Sequence, residues 1–178
     1  MFNVNDYIIY GSNGVCMIED ICVPPKVDEE HKNKKYYVLR PIYSKGNTIY
    51  TPVDNTKVII RKIISKEETK ELIDSIPSIE TISLSDDKAR AEECKNALRS
   101  CDYNEWAKVI KTINIHKQER ISLGKKIGQI EERLLHSAED FLYGELAVPL
   151  EIPKDQVEDY IAKRIKKLEN KINLSKPA

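Results

Sequence analysis

The chain has 178 residues, and its 29 lysines and arginines balance 29 aspartates and glutamates, so the formal net charge at pH 7 is zero. This balance excludes a uniformly basic nucleic-acid-binding protein, so any DNA contact must come from a local patch. No apolar run approaches the roughly 18 residues that a membrane-spanning helix needs, and the N-terminus lacks the features of a signal peptide. We therefore expect a cytoplasmic protein with no membrane partner.

Residues 1–64 have the composition of short β-strands. Strand-like segments read DYIIY, VCMIEDICV, YYVLRPIY, TIYTPVDN and KVIIRKI. Asn13 and Gly14 favour a turn after the first strand, because both tolerate positive φ. Pro41 has no N–H to donate, so its strand is expected to be an edge strand or to be bulged there. Cys16 and Cys22 lie an even number of residues apart, which allows both to face one side of a strand. Five short strands separated by turns predict a small barrel or a strongly bent sheet.

Residues 65–178 show the 3.6-residue period of helices. Ser65 and Glu68 match a capping box, and the pair Asp102 and Glu105 predicts a second helix start. Trp106 begins an i, i+3, i+4, i+7 apolar stripe, which predicts a buried core tryptophan rather than a binding residue. We expect about five helices here. The whole chain is thus predicted to be an α+β protein, with a β domain at 1–64 and a helical domain at 65–178.

The sequence offers no catalytic constellation. None of the three histidines, His31, His116 and His136, has a partner at metal-ligand spacing. Nucleophile-elbow, Walker and dinucleotide-binding motifs are absent from the sequence, and the paired acids are typical of solvated helix faces. We therefore expect no catalytic residue, metal, cofactor or small-molecule substrate.

Two helical segments offer basic residues for DNA. The first is DDKARAEECKNALRS, which contains Lys88, Arg90, Lys95 and Arg99. Lys88, Lys95 and Arg99 are spaced seven and then four apart, so they share one helix face. A DNA-facing surface and an ordinary solvated surface explain this spacing equally well.

The second basic segment is ISLGKKIGQI. Ser122 is predicted to be the N-cap of a long helix whose first turn carries Lys125 and Lys126. A helix start with free N–H groups and two cations favours a bound phosphate. The alternative is two exposed lysines screened by water.

Several segments, in order, resemble the CarD/CdnL family of bacterial transcription regulators. MFNVNDYIIYGSNGVCMIEDI is similar to the family's F-x-V-G-D-x-V-V-Y-P-x-H-G-V-G-x-I opening, and TIYTPVDN is similar to its strand leading into V-P-x-x-N. LRSCDYNEWAKVIKTI resembles L-x-S-G-D-x-x-x-x-A-x-V-x-x-x-L, while ISLGKK and AEDFLYGELA resemble two later family segments. The resemblance covers about residues 1–150. Asn5 and Gly11 stand where the family has glycine and proline.

The resemblance implies a Tudor-like β domain that docks on the β subunit of RNA polymerase. An exposed edge near NTIYTP would accept a strand of the partner. The implied polymerase-binding residues on this strand are Ile49, Tyr50, Thr51 and Pro52. Ile49 can also be explained by the barrel core, whereas Tyr50 is expected on the opposite face. The family often has an arginine at the position of Tyr50.

The resemblance also implies a helical domain that contacts promoter DNA near the upstream edge of the bubble and modulates open-complex stability. The family's tryptophan wedge has no counterpart in ETISLSDDKAR, where Leu84 is the nearest apolar candidate and Asp86 and Asp87 add negative charge. The implied DNA contacts are non-sequence-specific and involve Leu84, Lys88, Arg90, Lys95, Arg99, Ser122, Lys125 and Lys126. Two alternatives stay open: a protein adaptor on RNA polymerase without DNA wedging, and a barrel that binds RNA or the ribosome.

Overall fold

The computed structural model describes residues 1–23, 34–44, 46, 48–83 and 86–174, with side chains as far as residue 170. The chain forms two compact units, of which the first ends at Ile63 and the second begins at Ile64. The first contains the strands and the second the long helices, which confirms the predicted α+β fold class. None of the helices in the described part of the chain combines the length and the apolar character that crossing a membrane needs.

The first unit is built on a five-stranded antiparallel sheet. Its strands are β1 (Tyr7–Tyr10), β2 (Val15–Cys22), β3 (Tyr36–Pro41), β4 (Ile49–Pro52) and β5 (Ile60–Lys62). Their order across the sheet is β4-β3-β2-β1-β5, so β4 and β5 are the outer strands. Side chains alternate between the two faces of a strand. One face packs into a core formed by Ile8, Tyr10, Cys16, Ile18, Tyr37 and Leu39.

The connection between β1 and β2 is a tight turn that requires glycine. Gly11–Asn13 form one 3-10 turn, and Gly11 and Gly14 adopt φ of +47° and +65°. The Gly11 N–H donates to the Ile59 carbonyl over 2.9 Å. A Cβ on Gly11 would lie only 2.7 Å from Cγ1 of Val58. The predicted turn is therefore present, and a proline at residue 11, with its fixed negative φ, does not fit it.

The structure corrects two predictions about the strands. β3 lies inside the sheet, and Pro41 is tolerated because it is the last residue of that strand, opposite Cys16. The bulge is in β2 instead, between Ile18 and Asp20. An extra residue reverses which side chains face the core. Cys16 is consequently buried in the core, whereas Cys22 is half-buried and lies on the opposite face from Cys16.

All four cysteines are free thiols. Cys16, Cys94 and Cys101 are buried, and only Cys22 has intermediate exposure. Burial raises the pKa of the Cys16 and Cys94 thiols to about 11.

The second unit consists of helices, and the first three of them start at side-chain caps. They are α1 (Lys66–Ser75), α2 (Asp87–Arg99), α3 (Tyr103–Ser122), α4 (Gln129–Leu150) and α5 (Val157–Leu174). Ser65 and Glu68 form the predicted capping box, and Asp102 accepts N–H groups at the start of α3 as predicted. Asp86 caps α2 by accepting from the Ala89 N–H over 2.8 Å. This acid therefore has a structural role at the helix start.

Trp106 belongs to the core of the helical unit, as predicted. Its side chain is fully buried, and its ring centroid lies 5.3 Å from that of Phe141. Its indole N–H donates to the Leu98 carbonyl over 3.2 Å. A neighbouring cluster joins α2, α3 and α4 through Cys94, Ala97, Val109, Ile113, Leu134, Leu135 and Ala138. The buried carboxylate of Glu145 accepts the Ile64 N–H over 2.8 Å, which ties the start of this unit to α4.

Candidate functional site

The outer strand β4 has the geometry of a docking edge. It pairs with β3 on one side, and no described strand pairs with its other side. Ile49 packs against the core and Thr51 is buried, where its hydroxyl accepts from Asn55 Nδ2 over 2.9 Å. Tyr50 is 51% exposed and faces away from Ile49, as expected from strand alternation. The strand thus combines a backbone edge that no described strand covers with one large outward aromatic side chain.

A cavity of about 450 Å³ lies beside this edge. Tyr50, Thr51 and Pro52 line it together with the segment that follows β4. Lys34 and Asp54 also line it and form an exposed ion pair at 3.5 Å. Three of the four predicted docking residues therefore meet at one concave surface, while Ile49 contributes mainly to the core.

The predicted basic face of α2 is only partly available. Lys88 and Arg99 are exposed, whereas Lys95 is half-buried and pairs with Glu92 over 3.1 Å. The prediction that Arg90 contacts DNA needs correction. Arg90 is 7% exposed, and its guanidinium binds Asp87 at 2.6 Å and Glu131 at 3.0 Å. Its position inside the unit does not fit the expectation that it presents charge to DNA.

Arg90 lies at the centre of a buried polar network. Its Nη2 atom lies 3.2 and 3.3 Å from the two ring nitrogens of His116, a nearly equal spacing that places it over the ring face. His116 Nδ1 in turn lies 3.0 Å from Glu131 Oε1. Burial alone would lower the pKa of Arg90, but hydrogen bonds to Asp87 and Glu131 raise it above its usual value. The network ties α2, α3 and α4 together, and within it Arg90 and Glu131 are buried whereas Asp87 is exposed.

The connection between α3 and α4 corrects the prediction for Ser122. Ser122 is the last residue of α3, and its hydroxyl donates to the Glu119 carbonyl over 2.7 Å. Gly124 follows at φ +69°, and the N–H groups of Gly124 and Lys125 donate to the Ile121 and Arg120 carbonyls. This pattern is a Schellman motif, which ends a helix. The predicted N-cap is therefore wrong, and α4 begins at Gln129 instead.

Lys125 and Lys126 lie in the connecting loop, and both are exposed. Arg120 Nε donates to the Lys126 carbonyl over 3.2 Å, which braces the loop against α3. From residue 117 to residue 130 the sequence has four lysines or arginines and one acid. This segment is therefore locally basic although the chain is neutral, and the lysines project from a braced loop rather than from a helix N-terminus.

Two exposed apolar residues beside these lysines were not predicted from the sequence. Leu123 is 69% exposed and Ile130 is 57% exposed. The exposure of Leu123 could have been predicted from the sequence, because Leu123 directly precedes the helix-ending Gly124. It therefore lies beyond the apolar stripe of α3. The loop thus places apolar surface next to two cations.

Leu84, the predicted wedge, lies outside the described residues.

Two family models match the chain. Residues 2–64 match the CarD-like/TRCF RID domain, and residues 71–162 match the CarD C-terminal domain. No curated protein matches the chain at a significant level. The two matched segments follow the division into a sheet unit and a helical unit. The family comprises transcription factors rather than a class of enzymes. The chain belongs to the CarD family of transcription factors, which interact with RNA polymerase.

Proposed function

We propose that this protein docks on the β subunit of RNA polymerase through β4 and contacts promoter DNA through its helical unit. The DNA contact lies near the upstream edge of the transcription bubble, where it modulates the stability of the open complex without catalysing a reaction. The outer edge of β4, which pairs with no second strand among the described residues and from which Tyr50 projects, is the observation that carries this proposal.

Docking at β4 follows from the chemistry of an unpaired strand edge. Its backbone N–H and C=O groups can extend the sheet into a strand of the partner, which supplies affinity without requiring a particular sequence. The Tyr50 side chain then supplies specificity, since large aromatic residues are frequent anchors of protein interfaces. The cavity lined by Tyr50, Thr51 and Pro52 offers space for a partner side chain.

The DNA contact is proposed for the loop between α3 and α4 and for the exposed cations of α2. Lys125 and Lys126 can neutralise phosphates, and Leu123 can pack against a partly unstacked base step, a role that apolar side chains play in other proteins. Lys88 and Arg99 would add phosphate contacts. Because phosphate contacts carry no sequence information, this binding is expected to be insensitive to base sequence.

A neutral chain can act on DNA because polymerase supplies its location. Once β4 is docked, DNA binding becomes an intramolecular step with a high effective concentration. A small number of phosphate contacts is then sufficient for the docked protein to bind promoter DNA, even though the free protein is expected to bind DNA weakly.

The lifetime of the open promoter complex, measured with purified polymerase, tests this function. We expect the wild-type protein to change the lifetime and Tyr50→Ala to shift the required concentration about tenfold higher, as for an interface anchor. Tyr50→Arg, unlike Tyr50→Ala, should still bind the isolated β-subunit lobe. Its binding should depend more strongly on salt than that of the wild type, because a cation replaces a neutral ring.

Tyr43→Ala provides a matched control, because Tyr43 is 44% exposed and lies after β3, outside β4. It should leave both the lifetime and binding to the β lobe unchanged. A lifetime that saturating wild-type protein does not alter would contradict the proposed function. Equal losses for Tyr50→Ala and Tyr43→Ala would move the docking surface away from β4.

A further inference from the structure

The helical unit contains a groove of about 560 Å³ between α3, α4 and α5. Ala107 and Leu142 form its floor, and both are almost completely buried. Isoleucines of α3 and α5 form its walls, namely Ile110, Ile115, Ile161 and Ile165. Ile115 remains 44% exposed, so this apolar surface is open to a ligand.

The groove extends along much of α3. The residues of α3 that line it run from Ala107 to Glu119, and at 1.5 Å per residue this run extends for about 18 Å. That length corresponds to slightly more than three helical turns. Helical walls over an apolar floor are the usual setting for an amphipathic helix laid into a groove.

The charged residues that line the groove are two acids and one lysine, so their net charge is negative. Glu119 and Glu158 both line it, and neither forms an ion pair with a described residue. Lys111 also lines it, but its ammonium group donates to the Pro77 and Ile79 carbonyls, each over 2.7 Å. This ammonium group is therefore held against the backbone that follows α1, and the two carboxylates outnumber the single cation of the described lining.

On the α4 and α5 side of the groove, Glu139 and Glu158 influence each other, while Lys117 and His136 act on Glu139 in the opposite direction. Burial, followed by the charge of Glu158, raises the pKa of Glu139 above its usual value. Burial, followed by the charges of Glu139 and Glu158, also raises the pKa of Tyr143. A cation bound near Glu139 and Glu158 would favour their ionised carboxylates.

The walls of the groove are held in place before any ligand binds. Arg164 of α5 donates two hydrogen bonds to Asp74 of α1, at 2.5 and 2.6 Å. Lys154 pairs with Asp140 of α4 at 2.7 Å, just before α5 begins. A groove that is already formed lowers the conformational cost of binding.

We propose that this groove binds a helix of a partner protein in which an apolar stripe is flanked by lysines or arginines. The stripe would enter between α3 and α5, and the basic residues would meet Glu119 and Glu158. The acidic rim repels DNA phosphates, and a second copy of α5 would bring its own Glu158 to the same rim. The groove shares no lining residue with β4 or with Lys125 and Lys126, so it offers a third contact surface.

The test uses a fluorescent 14-residue peptide of leucine and lysine, with leucines at i, i+3, i+4 and i+7, titrated with the full-length protein. We expect saturable binding, and we expect Ile115→Asp to weaken it at least about tenfold. Ile121→Asp is the matched control, because Ile121 is also an exposed isoleucine of α3 but lies outside the groove. The control should bind like the wild type. Circular dichroism and Trp106 fluorescence verify that each variant is folded.

Charge reversal provides the second arm. The double variant Glu119→Lys, Glu158→Lys should weaken peptide binding several-fold and reverse its salt dependence, because like charges then meet at the rim. A matching peptide of leucine and glutamate should not bind the wild type. The proposal is overturned by equal losses for Ile115→Asp and Ile121→Asp, or by equal affinity for the two peptides. Dodecylamine binding without peptide binding would overturn it in favour of a small amphiphile, and a dimer that excludes the peptide would overturn it in favour of a second copy.

Discussion

At the scale of single residues, Gly11 shows how one backbone conformation constrains the sheet unit. Its positive φ and its approach to Val58 both exclude a side chain. We expect Gly11→Ala to lower the free energy of unfolding of this unit by about 2 kcal/mol, since left-handed strain and a steric clash add together. Hydrogen exchange of slowly exchanging sheet amides, such as the Ile18 N–H bonded to the Asp6 carbonyl, measures this change.

The variant Gly124→Ala separates the cost of backbone strain from the cost of the steric clash. Gly124 also has positive φ, at +69°, but an added Cβ there would meet no atom within 4 Å. Only backbone strain remains, so the expected loss is about 1 kcal/mol in the helical unit. Adding Val58→Ala to Gly11→Ala should recover the part that is due to the clash. A loss for Gly11→Ala no larger than for Gly124→Ala would show that the Val58 contact is unimportant.

Local patterns identified some residues correctly because their roles depend on near neighbours. The Ser65 cap depends on Glu68, and the burial of Trp106 follows from the stripe that it begins. Arg90 was misassigned because its role depends on Glu131, which is 41 residues away. Charge and helical spacing alone cannot distinguish an arginine that faces DNA from one that faces a distant buried carboxylate.

At the scale of elements, the contact between Arg90 and Glu131 joins α2 to α4. Arg90→Ala would leave the nearly buried Glu131 without its guanidinium partner, so we expect a loss of about 3 kcal/mol in stability. Urea unfolding followed by the fluorescence of Trp106, the only tryptophan, measures this value in the same unit.

Two controls accompany this measurement. Lys95→Ala removes a more exposed pair with Glu92, and it should cost less than about 0.5 kcal/mol. Arg90→Met with Glu131→Leu removes both buried charges, and it should recover most of the loss. A double variant as unstable as Arg90→Ala would argue that packing, rather than the unpaired carboxylate, causes the effect.

The boundaries of two elements show where sequence patterns misled. Ser122 followed by two lysines suggested a helix start, but Gly124 is a strong helix-ending residue and explains the observed boundary. Pro41 suggested an edge strand, yet a proline at the end of an inner strand removes no necessary hydrogen bond. The bulge in β2 had no local signal, because it depends on the register with β3.

At the scale of the whole molecule, a neutral chain concentrates positive charge at the α3–α4 loop. We expect Lys125→Glu with Lys126→Glu to weaken binding to fork-junction DNA and to reduce the slope of log affinity against log salt by about 2, one phosphate contact per lysine. Titrations at several salt concentrations, with and without polymerase, measure this slope.

Lys163→Glu with Lys166→Glu is the control for net charge, because these lysines are exposed on α5 and lie far along the chain from the loop. It should have little effect on the salt slope. Equal slopes for the wild type and the loop variant would remove the loop from the DNA contact and would favour the adaptor alternative.

The arrangement of a sheet unit followed by a helical unit was predictable from the change of hydrophobic period near residue 64. The outer position of β4 was expected from the family resemblance, and the structure has it there. The groove was not predictable, because Ala107, Leu142 and Ile165 come from three separate helices. Such a surface exists only after those helices have packed.

The burial of three of the four thiols makes this protein suitable for attachment of a single fluorophore. Maleimides react with thiolates, and the high pKa of Cys16 and Cys94 keeps them protonated at pH 7.5. We expect one dye per native chain, at Cys22, and none after Cys22→Ser. Burial, followed by the charge of Asp20, also raises the Cys22 pKa, so labelling should accelerate as the pH rises toward it. Mass spectrometry of tryptic peptides would locate the dye, and labelling of a buried cysteine in the native chain would contradict this expectation.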